Sequence, residues 1–194
     1  MRKEYCMAFV LMCGSLSLPT AAQKKPDIHE LFAQLNNAGT TNHAAQVILR
    51  VASEDPAARE YMVEKLPDMI DKLTLDQVWR NAVWLAGQLK ASNSVPALME
   101  ALPRSPFRPS IILFGEMLSL NSDPVGKALF EIGDPAVPAL ANLLERSGDT
   151  MDRWRAARIL WNIDSPASRK VLRDDLQHET DPGIKRFTEG KSQQ

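Results

Sequence analysis

The side chains equipped for chemistry are few and scattered. His29, His43 and His178 stand far apart, and none belongs to an HExxH or HxH arrangement that closes two imidazoles on a metal. No GxSxG elbow, GxGxxG turn or phosphate-cradling glycine loop occurs, and the serines fall mainly at caps and turns. Asp174 and Asp175 are neighbours in sequence, so on a helix they point in different directions, which is poor geometry for acid–base work. The inventory predicts no catalytic, cofactor-binding or metal site.

Binding chemistry is better represented. A Trp-Arg pair opens both WRNAVWLAG (79–87) and WRAARILWN (154–162). Tryptophan and arginine concentrate at binding hot spots, so Trp79, Arg80, Trp154 and Arg155 are candidate contacts for a peptide or anion. The opposing reading is core, because helical hairpins bury their largest side chains between layers. Asp76 precedes Arg80 by four residues and Asp152 precedes Arg155 by three, which predicts ion pairs along the same helix. The wider set Arg153, Arg158, Arg169, Lys170 and Arg173 is interleaved with aspartates and reads as solvated faces with local pairs.

A third candidate is the stretch RSPFRPSIILFGEMLSLNS, in which Phe107, Arg108 and Phe114 are the candidate partner contacts. Its run from Ile111 to Leu120 carries Glu116 as its one charge, and an apolar helix without a polar face has to be covered. Packing across the protein's own core, docking of a partner, and an extended conformation through Ser110–Phe114 all remain open.

The elements that position these residues follow from a repeat. AGQLKASNSVPALMEAL (86–102), ALFEIGDPAVPALANLL (128–144) and ILWNIDSPASRKVLRDDL (159–176) share an apolar stretch, a polar break and a second apolar stretch. HAAQVILRVASEDPAAREYMVEKL (43–66) is a fainter copy. Asp or Ser precedes Pro at 55–56, 123–124, 134–135, 165–166 and 181–182. An oxygen at the N-cap accepts from free first-turn amides, and proline in that turn has no amide to leave unpaired, so each pair predicts a helix start. Thr74 and Gln77 add the spacing of a capping box.

Apolar positions then repeat at helical spacing, as in Val78, Leu85 and Leu89 or Val137, Leu140 and Leu144. Helices are predicted near 28–37, 42–53, 56–72 with a bend at Pro67, 75–91, 95–102, 110–120, 124–132, 135–146, 150–163, 166–177 and 182–188. Short helices joined by tight turns form antiparallel pairs, and stacked pairs form an α-solenoid.

These phrases resemble HEAT-type repeats, specifically the HEAT-like class of the phycobilisome lyases. The resemblance covers residues 75–177 and, faintly, 41–72. It implies an all-α, right-handed solenoid of helical hairpins that serves as a protein-binding scaffold. The chain departs from the pattern at an insertion near 103–123, and Lys90 and Asp164 stand where glycine is common.

The first 22 residues differ from the rest. Arg2 and Lys3 precede the uncharged run MAFVLMCGSLSL, and small residues precede Gln23. This is the layout of a secretory signal peptide cleaved between Ala22 and Gln23, with residues 23–194 as one domain. The run falls short of the roughly 20 apolar residues of a permanent membrane span. A lipid anchor at Cys13 is the alternative, disfavoured by Met12 before it. Cys6 and Cys13 both lie in this segment, so the processed chain has no thiol. Loss of Arg2, Lys3 and Glu4 from 23 basic and 24 acidic residues leaves a net charge of −2, which offers no footprint for nucleic acid.

The expected function is that of an exported, periplasmic or secreted, non-enzymatic scaffold binding a protein or peptide. A bilin lyase or isomerase, which the resemblance implies, and a self-associating structural module are the alternatives.

Overall fold

In the computed structural model, residues 26–72, 74–105 and 120–192 are described. Their helices are α1 (Ile28–Leu35), α2 (Thr41–Glu54), α3 (Pro56–Asp71), α4 (Gln77–Gln88), α5 (Val95–Ala101), α6 (Pro124–Ile132), α7 (Val137–Arg146), α8 (Thr150–Ile163), α9 (Pro166–Asp175) and α10 (Pro182–Ser192). The described residues contain no strand, so the protein is all-α as its periodicity predicts. The predicted helix 110–120 lies outside the described residues except for Leu120, which is buried and not helical, and the N-terminal segment with Cys6 and Cys13, with Phe107, Arg108 and Phe114, lies wholly outside them.

Most starts follow the predicted chemistry. Asp55 accepts from the amides of Ala57 and Ala58, Asp123 from Gly126, and Asp181 from Gly183 and Ile184. Ser165 and Ser168 exchange bonds reciprocally as a capping box. Two starts differ. Thr74 and Gln77 form no capping box, because Leu75 between them sits at φ 55, a left-handed conformation that cannot begin a right-handed helix. Asp76 caps α4 instead, accepting from the Trp79 amide at 2.9 Å.

Asp134-Pro135 is the second correction. It lies in a 3-10 turn over Asp134–Ala136, and α7 begins at Val137 with Pro138 as its first-turn proline. The same order governs Ser92–Ser94 and α5, which begins Val95-Pro96. The shared phrase Val-Pro-Ala-Leu is therefore a helix N-terminus entered through a tight turn, and proline's fixed φ suits that position.

The helices pack as two rows. In one, α4 packs against α2 and α6, and α6 against α8; in the other, α5 packs against α3 and α7, and α7 against α9. Each row faces the other through the pairs α2–α3, α3–α4, α5–α6, α7–α8 and α8–α9. At one end α1 packs on α2, and at the other α10 packs on α8 and α9. The predicted stripes line the seam: Leu85, Leu89, Leu98, Leu129, Leu140 and Leu144 are all buried. Each such side chain stabilises the fold by roughly 1.5–3 kcal/mol relative to exposure, before cavity effects.

The polar breaks share one backbone device. Lys90, Gly133 and Asp164, each just past the first helix of a pair, have φ of 50°, 80° and 54°. A left-handed residue ends a helix by turning its amide back on the last turn. The Asp164 amide accordingly donates to Leu160 and the Gly133 amide to Leu129. The Lys90 amide reaches Gly87. The two positions that depart from glycine, Lys90 and Asp164, keep a positive φ; Asp164 lies in the left-handed helical region and Gly133, at ψ −136°, outside it.

Candidate functional site

The four described candidate residues do not share a groove. Trp79 is 1% exposed, and its indole N–H donates to the Ile70 carbonyl at 3.0 Å. Ile70 stands in the last turn of α3, whose carbonyls lack helical partners, so Trp79 closes a helix end from the core. Arg80, the next residue, is exposed. Trp154 is half-buried and meets Phe187 of α10 at 5.1 Å between ring centroids, while Trp161 meets the same ring at 4.6 Å. Arg155 is buried on the side of α8 that faces α6. Both α4 and α8 pack on α6, which lies between the two Trp-Arg pairs.

The expected pairing of Arg155 with Asp152 is replaced by a long-range one. Arg155 donates to Asp123 Oδ1 through Nη2 at 2.8 Å and to Oδ2 through Nε at 3.2 Å, and Arg158 Nη2 donates to the same Oδ2 at 2.7 Å. Asp123 is fully buried and caps α6 with the same carboxylate. Arg155 also donates to the Leu102 carbonyl and, at 2.8 Å, to Ser105 Oγ. One guanidinium thus ties the residues before position 106 to those after position 119. Burial lowers the affinity of Arg158 for its proton; the Asp123 charge opposes this and the neighbouring Arg155 adds to it.

A cleft of about 610 Å³ opens between α7, the start of α8, the end of α9 and the α9–α10 connection. Leu144 and Val171 contribute its apolar wall, and Glu145, Arg153, Asp174, Asp175, His178 and Glu179 its charged one. Arg153 grips Glu179 with Nε at 3.1 Å and Nη2 at 3.3 Å, and its Nη1 donates to the Ser147 carbonyl at 3.0 Å. Glu179 Oε1 further accepts from the amides of Thr180 and Asp181, both at 2.7 Å. Burial pushes the Glu179 carboxyl upward, but Arg153 and these amides outweigh it and hold the group below its usual range.

Asp175 behaves oppositely. Burial first, and the nearby Glu179 charge second, push its carboxyl up to about 6 against the pull of Arg153 and His178. Its Oδ2 is buried with no hydrogen-bond partner. Two carboxyls of one cleft are thereby driven apart, one fixed as an anion and the other titrating in mildly acidic solution.

Asp123, Arg158, Arg153 and Glu179 were not legible as site residues, because the first reads as an ordinary helix cap, the arginines as solvated surface charge, and Glu179 belongs to no motif. Expected local pairs do occur nearby, Lys170–Asp174 at 2.6 Å and Arg169–Asp164 at 2.7 Å, both solvent-accessible. Among the described residues no group of three or more His, Cys, Asp or Glu side chains gathers as a metal site, and no helix is long and apolar enough to cross a membrane. No family model, curated protein or solved structure matches this chain.

Proposed function

We propose that this chain is an exported, non-enzymatic scaffold, an α-solenoid of HEAT-like hairpins that binds a protein or peptide. The observation that carries the reading is the recurrence of one unit. A helix, a residue of positive φ at 90, 133 or 164, and a second helix follow one another three times. The first helices pack in one row and the second helices in the other. Such units cannot bury their apolar faces alone, and stacking them leaves extended outer faces free for a partner. Balanced charge favours a protein or peptide over nucleic acid. The signal-like segment 1–22 supports periplasmic or secreted localisation.

The test joins export to binding. The full chain is expressed with photo-crosslinking residues at exposed Arg80 on one row and Glu145 on the other. Expected results are an N-terminus at Gln23 in the exported fraction and a specific protein adduct from at least one row, reproduced by calorimetric titration of the purified pair. An unprocessed cytoplasmic chain overturns the export reading, and the absence of any protein adduct from either row overturns the scaffold reading.

A further inference from the structure

We propose that the Asp175–Glu179–Arg153 cluster makes the seating of α10 pH-dependent, α10 being held on the end of the helix rows when Asp175 carries a proton and loosened when it is ionised.

The geometry joins the cluster directly to α10. Glu179 receives the amides of Thr180 and Asp181, and Asp181 in turn caps α10 through Gly183 and Ile184. Arg153 ties Glu179 to α8 and, through the Ser147 carbonyl, to the α7–α8 connection. The position of α10 therefore depends on where the Glu179 carboxylate sits. Asp175 lines the same cleft as Glu179 and Arg153, its carbonyl accepts from the Glu179 amide at 2.8 Å, and its Oδ2 is buried without a partner. A protonated Asp175 does not compete with Glu179 for the charge of Arg153. An ionised Asp175 brings a second anion to the same guanidinium and repels Glu179.

Besides Arg153, His178 is the neighbouring group that favours the ionised form of Asp175. Glu145 of α7 and Asp174 of α9 add further negative charge to the cleft, with His178 as the neighbouring imidazole. What α10 covers is aromatic: Phe187 lies between Trp154 and Trp161, and Gly183 and Gly190 pass close against those indoles. Loosening α10 uncovers this pair of tryptophans at the end of the rows.

The sign follows from the two carboxyls. Asp175 holds its proton more tightly in the seated state, so its contribution is complete below the unfolded value and is lost as pH rises through about 6. Glu179 is held below its usual range, so its contribution is present above the unfolded value and is lost as pH falls through the folded one. Seating is strongest in the mildly acidic interval between them.

The experiment is amide hydrogen exchange of the full chain at residues 184–188, corrected for intrinsic exchange, well below and well above pH 6. The opening equilibrium is expected to rise about tenfold across the interval, partial solvent screening reducing the full effect. Asp175→Asn, which is neutral throughout, is expected to stay closed and flat across pH 6, while His178→Gln keeps the dependence with its midpoint moved upward, the pull of His178 on Asp175 being gone. Carboxyl NMR of wild-type Asp175 supplies a second measurement should the variant not fold, its midpoint coinciding with the change in exchange. Exchange independent of pH, a dependence that survives Asp175→Asn or vanishes in His178→Gln, or an Asp175 midpoint in the ordinary carboxylate range overturns the proposal.

Discussion

The side-chain amide of Asn93 donates at 2.9 Å to the carbonyl of Val63, the acceptor that Pro67 deprives of its helical partner four residues on. A proline inside α3 is thereby accommodated in an unbroken helix by a residue from the next turn of the other pair. Arg59 makes a parallel link, donating to the Leu89 carbonyl at the end of α4. The breaks between helices thus serve as fasteners between neighbouring pairs.

Asn93→Ala is expected to cost about 0.5–1 kcal/mol, because it leaves the exposed Val63 carbonyl to water alone. Pro67→Ala restores the helical donor, so the cost of Asn93→Ala should shrink by at least half in that background. A double-mutant cycle in urea measures the coupling, and strictly additive changes would show that the two residues act independently.

Removing Arg155 strands Asp123 in the core with Arg158 as its remaining side-chain cation. Arg155→Met is expected to destabilise the protein by about 3–5 kcal/mol, the usual consequence of breaking a buried ion pair from one side. Arg155→Lys should recover little, since one ammonium lacks the fork that serves Asp123, Ser105 and Leu102 together. Denaturation midpoints decide it: full recovery by lysine would mean that charge alone matters.

Gly133 has φ 80° and ψ −136°, and a Cβ there meets nothing within 4 Å. Gly133→Ala therefore tests backbone strain without a clash, and a loss of about 1–3 kcal/mol is expected. Lys90→Gly, at φ 50°, should move the other way by about 0.5–1 kcal/mol, relieving a left-handed lysine at the cost of unfolded-state entropy. Thermal unfolding of the pair reads both signs, and a stabilising Gly133→Ala contradicts the assignment.

At Gly87 the absence of a side chain lets α4 come close to α6. A Cβ on it would stand 3.0 Å from Ala128 Cα and 2.4 Å from Glu131 Oε2. Glu131 can swing away; the backbone at Ala128 cannot. Gly87→Val is expected to cost about 1–3 kcal/mol by forcing the helices apart. Glu131→Ala in the same background should recover only a small part, which equilibrium unfolding measures directly.

Sequence alone determined the helices, because their signals are local. An aspartate or serine before proline, an apolar stripe at helical spacing and a break that favours a left-handed residue act within a few residues of one another. Hence α6 and α8 match their predicted ranges at both ends, and the departures of Thr74 and Asp134 concern single caps. The destination of each charge was decided only by tertiary packing. Asp152 stands one turn from Arg155, yet Asp123 takes the arginine because both are dehydrated there, where an unpaired charge is far more costly than on the surface. Trp79 and Trp154 carry the same local phrase but meet different neighbours, a helix end in one case and α10 in the other. Asp175 stands four residues before Glu179, a spacing that sets both on one helical face, but the burial that tightens its hold on a proton comes only from packing. For the buried arginines the electrostatic environment belongs to the neighbours that folding brings: Glu179 lies 26 residues from Arg153, and the acceptors of Arg155 lie 32 to 53 residues away along the chain.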